Sequence, residues 1–365
     1  MDATSGAGTS RGRRRFGSNG NNGRSHERPA SEVPGNHEAT IGNASYGALD
    51  LGTNNCRLLI AKPSLHGFHV VDAFSRIVRL GEGLGRTGAL NGAAMNRTIE
   101  ALRVCSNKLF WHKVQQRRLI ATEACRMASN GAEFIERVTA ETGLVLEIID
   151  RETEAMLAAT GAEPLIDPAA QSALVFDIGG GSTEIMWVER QANKCKILAW
   201  TSLAAGVVTI SERFGGGIDV TPQSFAAMRD FIRPFLSQFV AQVRDIKGGE
   251  FLPSHLLGTS GTVTTIAGVQ MGLRRYDRSR VDGTWLASED IGQVTAKLLA
   301  MSYAERIANP CIGKERADLV MAGCAILEEI RLAFPAQKIR VADRGLREGI
   351  LTKLMMEDGS FGRGA

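Results

Sequence analysis

The stretch Ala173-Leu-Val-Phe-Asp177-Ile-Gly179-Gly180-Gly181-Ser182-Thr183-Glu184-Ile185-Met186 is an apolar segment ending in an acid, a glycine-rich turn and a second apolar segment. This order predicts a β-hairpin whose tight turn exposes successive backbone N–H groups. Together with short hydroxyl side chains, such amides form a concave anion site that suits phosphate oxygens. The acid before the turn is able to hold a divalent cation or to position water.

A second stretch has the same plan, 127 residues earlier: Tyr46-Gly-Ala-Leu-Asp50-Leu-Gly52-Thr53-Asn54-Asn55-Cys56-Arg57. One such turn occurs in many plain hairpins, but two, each opening a candidate domain, predict paired domains that face a phosphate held between them. Neither turn is a P-loop, because G-x-x-x-x-G-K-[ST] is absent from the sequence. The glycines at 179–181 precede a strand rather than a helix, which excludes the dinucleotide fingerprint.

The rest of the chain mixes strand-like and helical patterns, which indicates an α/β architecture. Strands are predicted over 46–51, 56–61, 118–121, 145–149, 173–177, 185–189, 196–200, 255–257 and 338–341. Helical patterns lie near 93–112, 131–141, 152–160, 221–243, 287–308 and 315–333.

Composition narrows the class of protein. The 365 residues carry 43 Lys and Arg against 39 Asp and Glu, a net charge of +4, so no large basic face indicates a nucleic-acid binder. Six cysteines without a C-x-x-C pair are interpreted as buried thiols. No apolar run approaches the ~18 residues that span a bilayer. We therefore expect a cytoplasmic protein with no membrane partner and no specific nucleic acid.

Residues 1–45 differ from the remainder. They are rich in Gly, Ser, Asn and Arg and contain few bulky apolar side chains, a composition that cannot offset the entropy of ordering the chain. We expect a disordered, solvated tail. Its arginines at 11–15 are able to touch polyanions, but we expect no specific partner.

The two turns resemble the phosphate loops of the actin, sugar-kinase and heat-shock-chaperone ATPase superfamily. The second, at Asp177–Glu184, resembles the exopolyphosphatase / guanosine pentaphosphate phosphohydrolase (Ppx/GppA) branch, and the similarity covers roughly residues 46–355. Segments 79–83, 121–130, 258–262, 316–318 and 344–349 agree with this branch. The resemblance implies two actin-like (ribonuclease H-like) α/β domains with an interdomain active cleft, at about 46–158 and 159–342. A C-terminal helix within 343–365 is expected to pack back on the first domain.

Hydrolysis of a phosphoanhydride needs a cradle for the phosphoryl group, countercharge and an oriented water. The predicted cradle consists of the two turns, with Thr53, Asn54 and Asn55 on one side and Gly179, Gly180, Gly181 and Ser182 on the other. The resemblance assigns Asp177 and Glu184 to a magnesium ion, with Asp50 as a third acid near it. Magnesium is the expected cofactor, and K⁺ is left open as an activator.

Arg126 and Glu154 complete the predicted site. Arg126 follows a strand end that faces the cleft in α/β sheets, and its planar guanidinium is able to bind two phosphate oxygens. By resemblance, Glu154 is the general base of the S-G-x-E-E-A element. The match is poorest here, because Asp150-Arg151 replaces Ser-Gly and Thr153 replaces the first Glu.

The expected reaction is release of orthophosphate from the end of inorganic polyphosphate. Guanosine pentaphosphate (pppGpp) is the alternative substrate, and an alarmone-binding regulator with little turnover is the alternative class. Residues 258–262 either bind a nucleoside or simply begin a helix. The histidines form no expected metal site, and we expect a homodimer because open α/β domains commonly dimerise.

Overall fold

The computed structural model describes residues 44–191, 194–249 and 251–361. The predicted tail lies outside these residues except for Ala44 and Ser45. Ser45 is not part of a solvated tail: it is 4% exposed, and its N–H donates to the side-chain oxygen of Gln115 at 2.7 Å.

The first part of the chain forms a five-stranded sheet with helices around it. Its strands are β1 (Tyr46–Leu51), β2 (Asn55–Ser64), β3 (Gly67–Ile77), β4 (Gln116–Ala121) and β5 (Glu147–Ile148). Its helices are α1 (Leu84–Thr87), α2 (Gly92–Trp111), α3 (Glu123–Met127), α4 (Gly131–Thr142) and α5 (Arg151–Ala162).

The second part forms a six-stranded sheet. Its strands are β6 (Ser172–Ile178), β7 (Thr183–Gln191), β8 (Lys194–Leu203), β9 (His255–Gly258), β10 (Trp285–Ala287) and β11 (Lys338–Val341). The helices are α6 (Val207–Arg213), α7 (Pro222–Lys247), α8 (Gly261–Gln270), α9 (Arg278–Val281), α10 (Ser288–Ala300), α11 (Tyr303–Ala308), α12 (Val320–Ala333) and α13 (Leu346–Glu357).

The two sheets share one topology. In the first, the order is β3-β2-β1-β4-β5, with an antiparallel β1-β2-β3 meander and with β4 and β5 added in parallel. In the second, β8-β7-β6-β9-β11 repeats this order, and β10 pairs antiparallel at the edge. The repeated order confirms the predicted α/β fold with two actin-like halves. It places the two glycine turns at equivalent positions, between the first and second strand of each sheet.

Helix α13 packs against the first sheet and against α5. Its buried residues Leu346, Ile350, Leu351 and Met355 share an apolar cluster with Tyr46, Leu59, Ile120 and Leu157. The helices touch through glycine, since a Cβ on Gly161 would lie 1.9 Å from the carbonyl oxygen of Gly345. This close packing fixes α5, which carries Glu154. Helix α5 also continues past the expected domain boundary at 158/159.

Several local predictions differ from the structure. The helical pattern over 287–308 is two helices, α10 and α11, because Ser302 caps a new helix by accepting from the N–H of Glu305. The pattern over 315–333 becomes a helix only at Val320. Strand β3 has no predicted counterpart: it is a largely exposed edge strand, so no buried alternation marks it.

Candidate active site

The two glycine turns meet at a cavity of about 130 Å³ between the two sheets. A Cβ on Gly180 would lie 2.9 Å from Cβ of Thr53, and one on Gly181 would lie 2.7 Å from Oγ1 of Thr53. Only glycine permits this approach of one turn to the other. Of the predicted cradle residues, the structure places Thr53, Asn54, Asn55, Gly179, Gly180, Gly181 and Ser182 on the cavity wall.

Backbone hydrogen bonds hold each turn from behind. The carbonyl of Thr53 accepts from the N–H of Gly81 at 2.9 Å, and that of Asn54 accepts from Val78 and Arg79 at 2.9 and 3.0 Å. In the second turn, the carbonyl of Gly180 accepts from the N–H of Val208 at 2.8 Å. Because these carbonyls are fixed away from the cavity, the turns are preorganised to present N–H groups to an anion.

Four of the predicted acids line the same cavity: Asp50, Glu154, Asp177 and Glu184. Strand pairing brings two of them together, because Asp177 on β6 lies opposite Glu184 on β7. Burial raises the pKa of Asp177 to about 7. The positive charge of Arg57 opposes this shift, and repulsion from Asp50 adds to it. Burial and repulsion from Asp177 raise the pKa of Glu184 to about 7. The pKa of Asp50 is raised as well, mainly by burial.

These raised pKa values mean that the buried carboxylates lack sufficient positive charge from the protein. A divalent cation fits the donor set, since hard oxygen ligands suit Mg²⁺, which is usually held by one or two carboxylates with water and substrate phosphates. Among residues 44–191, 194–249 and 251–361, no three His, Cys, Asp or Glu side chains form a complete metal site. Asp177 and Glu184 would therefore need phosphate oxygens and water to complete the shell.

The amide of Asn54 also fits a bound ligand. Its residue is 7% exposed, and Oδ1 is buried without a hydrogen-bond partner in the described part of the chain. A buried amide oxygen without a partner costs free energy, which a water or ligand donor would recover.

Glu154 lies in the first turn of α5, where Asp150 caps the helix by accepting from the N–H of Thr153 at 2.7 Å. Burial and repulsion from Glu184 raise the pKa of Glu154 to about 8, although Arg126 opposes the shift. A carboxylate with this pKa is suited to accept a proton near neutral pH.

The guanidinium of Arg126 contacts protein acceptors in this structure. Nη2 donates to Glu123 at 2.5 Å and to Glu154 at 3.0 Å, Nε donates to Glu123 at 3.1 Å, and Nη1 donates to the carbonyl of Ile149. Arg126 is also absent from the described residues that line the cavity. The predicted phosphate contact of Arg126 stays a prediction, and the strand pattern did not reveal the acids that bind its guanidinium.

The cavity wall includes three charged residues that sequence reasoning missed: Arg57, Glu123 and Arg316. Arg57 pairs with Asp50 across β1 and β2, so its side chain shares a face with that acid. The alternation of β2 is the signal that would have found it. Burial and repulsion from Arg57 lower the pKa of Arg316, so the two cations lie close together.

Residues 259–262 line the cavity as well. Ser260 caps α8, its Oγ accepting from the N–H of Val263 at 3.2 Å, so this segment does begin a helix.

A second cavity of about 540 Å³ adjoins the first and shares Asp50, Asp177 and Arg316 with it. Its wall carries five arginines, at positions 57, 278, 316, 344 and 347. His66, in the β2–β3 turn, and His69, in β3, are both exposed and do not line the cavity.

A cavity closed by two glycine turns from repeated α/β halves, with buried acids on its wall, fits an enzyme that acts on phosphate groups. The chain belongs to the Ppx/GppA phosphatase family, which matches residues 59–358. It is therefore a phosphatase, as the resemblance implies. The matched range includes the second glycine turn and begins just after the first.

Curated and solved relatives agree with this assignment. The chain is 29% identical over 327 residues to exopolyphosphatase 2 of Mycobacterium tuberculosis, covering 84% of this chain and 97% of that protein. It resembles a Ppx/GppA family member from Aquifex aeolicus with 28% identity and a TM-score of 0.72, over 86% of this chain and 98% of the other. An exopolyphosphatase from Cytophaga hutchinsonii gives 26% identity and a TM-score of 0.77, with the same coverage.

Within the described residues, no helix combines the length and apolar character that crossing a membrane requires.

Proposed function

We propose that the chain is an exopolyphosphatase, which hydrolyses the terminal phosphoanhydride of inorganic polyphosphate and releases orthophosphate. The observation that carries the proposal is the arrangement of Glu154, Asp177 and Glu184 on one cavity with both glycine turns. A base, a cation-binding acid pair and an anion cradle are the parts that this hydrolysis needs. The exopolyphosphatase relatives support the same substrate.

In this proposal the terminal phosphoryl group lies between the turns, where backbone N–H groups of 53–55 and 180–182 donate to its oxygens. Glu154 accepts a proton from a water as the water oxygen attacks phosphorus. The bond from phosphorus to the bridging oxygen then breaks, and the leaving chain retains that oxygen. Asp177 and Glu184 would hold Mg²⁺, which supplies positive charge for the phosphate oxygens.

The second cavity supports a substrate longer than one phosphate. A volume of about 540 Å³ is within the range of small-molecule sites. Of the five arginines on its wall, Arg278 and Arg344 pair with acids, whereas Arg57 and Arg316, which also line the first cavity, suit a polyanion. Further phosphates of polyphosphate would fit this chemistry. The same cavity favours guanosine pentaphosphate as the second candidate, since a nucleotide of that size needs room beyond the phosphate turns.

The test is phosphate release by the purified protein with Mg²⁺, measured in parallel on long polyphosphate, short polyphosphate, guanosine pentaphosphate and ATP. We expect release from polyphosphate. Release from the guanosine substrate alone would replace the first proposal with the second. No release from any of the four, with tight binding of guanosine pentaphosphate, would identify a regulator and refute both hydrolase proposals.

The variant Glu154→Gln keeps the shape of the base and removes its charge. We expect it to fold and to lose at least about a hundredfold in kcat, since loss of a general base typically costs 10²–10⁴-fold. The matched control is Glu152→Gln in the same helical turn, whose side chain is exposed. A rate near that of the wild type in Glu154→Gln would remove Glu154 from the mechanism.

A further inference from the structure

The residues that depart from the family pattern before α5 have separate structural roles. Asp150 takes over the helix cap that a serine would provide, as its Oδ1 accepts from the N–H of Thr153. Arg151 introduces a long cationic side chain where the pattern has glycine. Its Nη2 donates to Oε1 of Glu123 at 2.7 Å.

Glu123 is a buried acid on the wall of a cavity that we propose to hold phosphate. It is 7% exposed, and its Cγ lies 3.0 Å from the position that a Cβ would take on Gly181. A carboxylate here would repel an anion unless it is neutralised. Two guanidinium groups do so, since Arg151 binds Oε1 and Arg126 binds Oε2.

Glu123 thereby fixes the group that contacts Glu154. Arg126 donates to Oε2 of Glu123 through both Nε and Nη2, a two-point contact that sets the plane of its guanidinium. The same Nη2 donates to Oε2 of Glu154 at 3.0 Å. The residues form one continuous chain of charged hydrogen bonds, Arg151–Glu123–Arg126–Glu154.

We propose that Glu123 is a positioning residue for the general base Glu154, acting through Arg126, and that Arg151 holds Glu123 in the orientation this requires. The inference rests on the proposed function of Glu154. It also explains why Arg151 stands where the family pattern has glycine: its positive charge neutralises Glu123, which lies beside the phosphate cradle. A shift of the base by about 1 Å is enough to cost about a hundredfold in rate, so a rigid support is valuable here.

The test compares Glu123→Gln, Arg151→Gln, the double variant and Arg151→Lys by steady-state phosphate release. Glu123→Gln should lower kcat by about tenfold or more with KM within about twofold, because the base is misplaced while the cradle is intact. Arg151→Gln should lower kcat in the same direction. Since both act through one contact, the double variant should be no more than about twofold worse than Glu123→Gln. Arg151→Lys should restore most of the rate, because it keeps the charge.

The matched control is Arg137→Gln. Arg137 has the same 39% side-chain exposure as Arg151 and pairs with Glu141 on α4, away from the cavity. We expect its kcat and KM to equal those of the wild type. Thermal midpoints of all variants identify losses that come from unfolding. Arg151 is partly exposed, so the Arg151 variants test the inference even if Glu123→Gln does not fold.

Four results would overturn the inference. Losses in the single variants that multiply in the double variant would show that the two residues act independently. A raised KM at unchanged kcat would make Glu123 or Arg151 a substrate contact. If the wild type is active and both single variants have the kcat and KM of Arg137→Gln, Glu123 and Arg151 do not position the base. That result would not contradict the proposed function. A wild type that releases no phosphate from any substrate would instead refute the proposed function, and the inference with it.

Discussion

Arg79 and Asp318 form a two-point ion pair between the first and second parts of the chain, with nitrogen–oxygen distances of 2.7 and 3.0 Å. Arg79 belongs to the segment whose N–H groups bind the first glycine turn, and its backbone has a φ of 49°, in the left-handed region. Asp318 lies just before α12 of the second part. The pair therefore connects the segment that holds the first glycine turn to the second part of the chain.

We expect Arg79→Gln to weaken the closed arrangement of the two turns. The pair is only partly exposed and has two-point geometry, so its loss should lower kcat/KM by about three- to tenfold, the scale of an interaction of about 1 kcal/mol. Steady-state phosphate release checks this. Arg118→Gln is the control, because Arg118 makes a two-point pair with Glu147 within the first part of the chain, at 3.0 and 3.0 Å. Equal kinetics in the two variants would contradict a role for the contact.

Because the two glycine turns are in contact, adding one methyl group to Gly181 should lower activity. Gly181→Ala would place Cβ 2.7 Å from Oγ1 of Thr53, closer than real Cβ atoms approach. We expect a folded protein whose kcat/KM falls by about a hundredfold, because the turns must separate and the cradle is lost. In Gly85→Ala the new Cβ meets no atom within 4 Å, so this control should keep full activity. A rate close to that of the wild type in Gly181→Ala would show that the turns need not touch.

The elevated pKa of Glu154 predicts how the rate depends on pH. Burial and repulsion from Glu184 raise this pKa to about 8 from a model-compound value of 4.5. The base accepts a proton only when it is ionised, so kcat/KM should rise with pH up to about 8 and level off above it. A profile of kcat/KM at constant saturating Mg²⁺ reports this ionisation in the free enzyme. A rate that falls steadily as pH rises through the same window would contradict Glu154 as the base.

The sequence predicted the parts of the fold that local patterns encode. Strand β1 and strand β11 match their predicted limits, because β1 is a mostly apolar run and β11 alternates buried Ile339 and Val341 with partly exposed Lys338 and Arg340. The edge strand β3 was missed, since its exposed residues carry no burial pattern. The break at Ser302 was missed too, because a capping serine inside a long helical pattern is visible only when the chain turns there.

The site was predictable to the extent that it resides in contiguous motifs. Both glycine turns and the acids beside them are consecutive in sequence, and they line one cavity. The network around Arg126 was not predictable, because Glu123 and Arg151 are 28 residues apart and meet only in the folded chain. The position of Arg126 after a strand predicted a phosphate contact, and the acids that bind its guanidinium come from tertiary contacts that this position does not reveal.

The buried acid pair predicts a link between pH, metal and stability. Asp177 and Glu184 have pKa values of about 7 in the folded protein, against model-compound values of 3.8 and 4.5. Between these limits the folded state holds protons that the unfolded chain has released, so the free energy of unfolding falls as pH rises. Without divalent ions, Tm should therefore be higher near pH 5 than near pH 8. Added Mg²⁺ should raise Tm more at the higher pH, where it binds ionised carboxylates.

Asp177→Asn separates this effect from general pH sensitivity. It removes one of the two repelling acids, so the metal-free variant should be more stable than the wild type near pH 8, by a few degrees in Tm. Its response to Mg²⁺ should be lost, together with phosphate release. Thermal unfolding of both proteins in chelator and in Mg²⁺, at each pH, measures all of these outcomes. A variant that is less stable than the wild type in chelator, or that keeps the full Mg²⁺ response, would show that Asp177 is not a strained cation ligand.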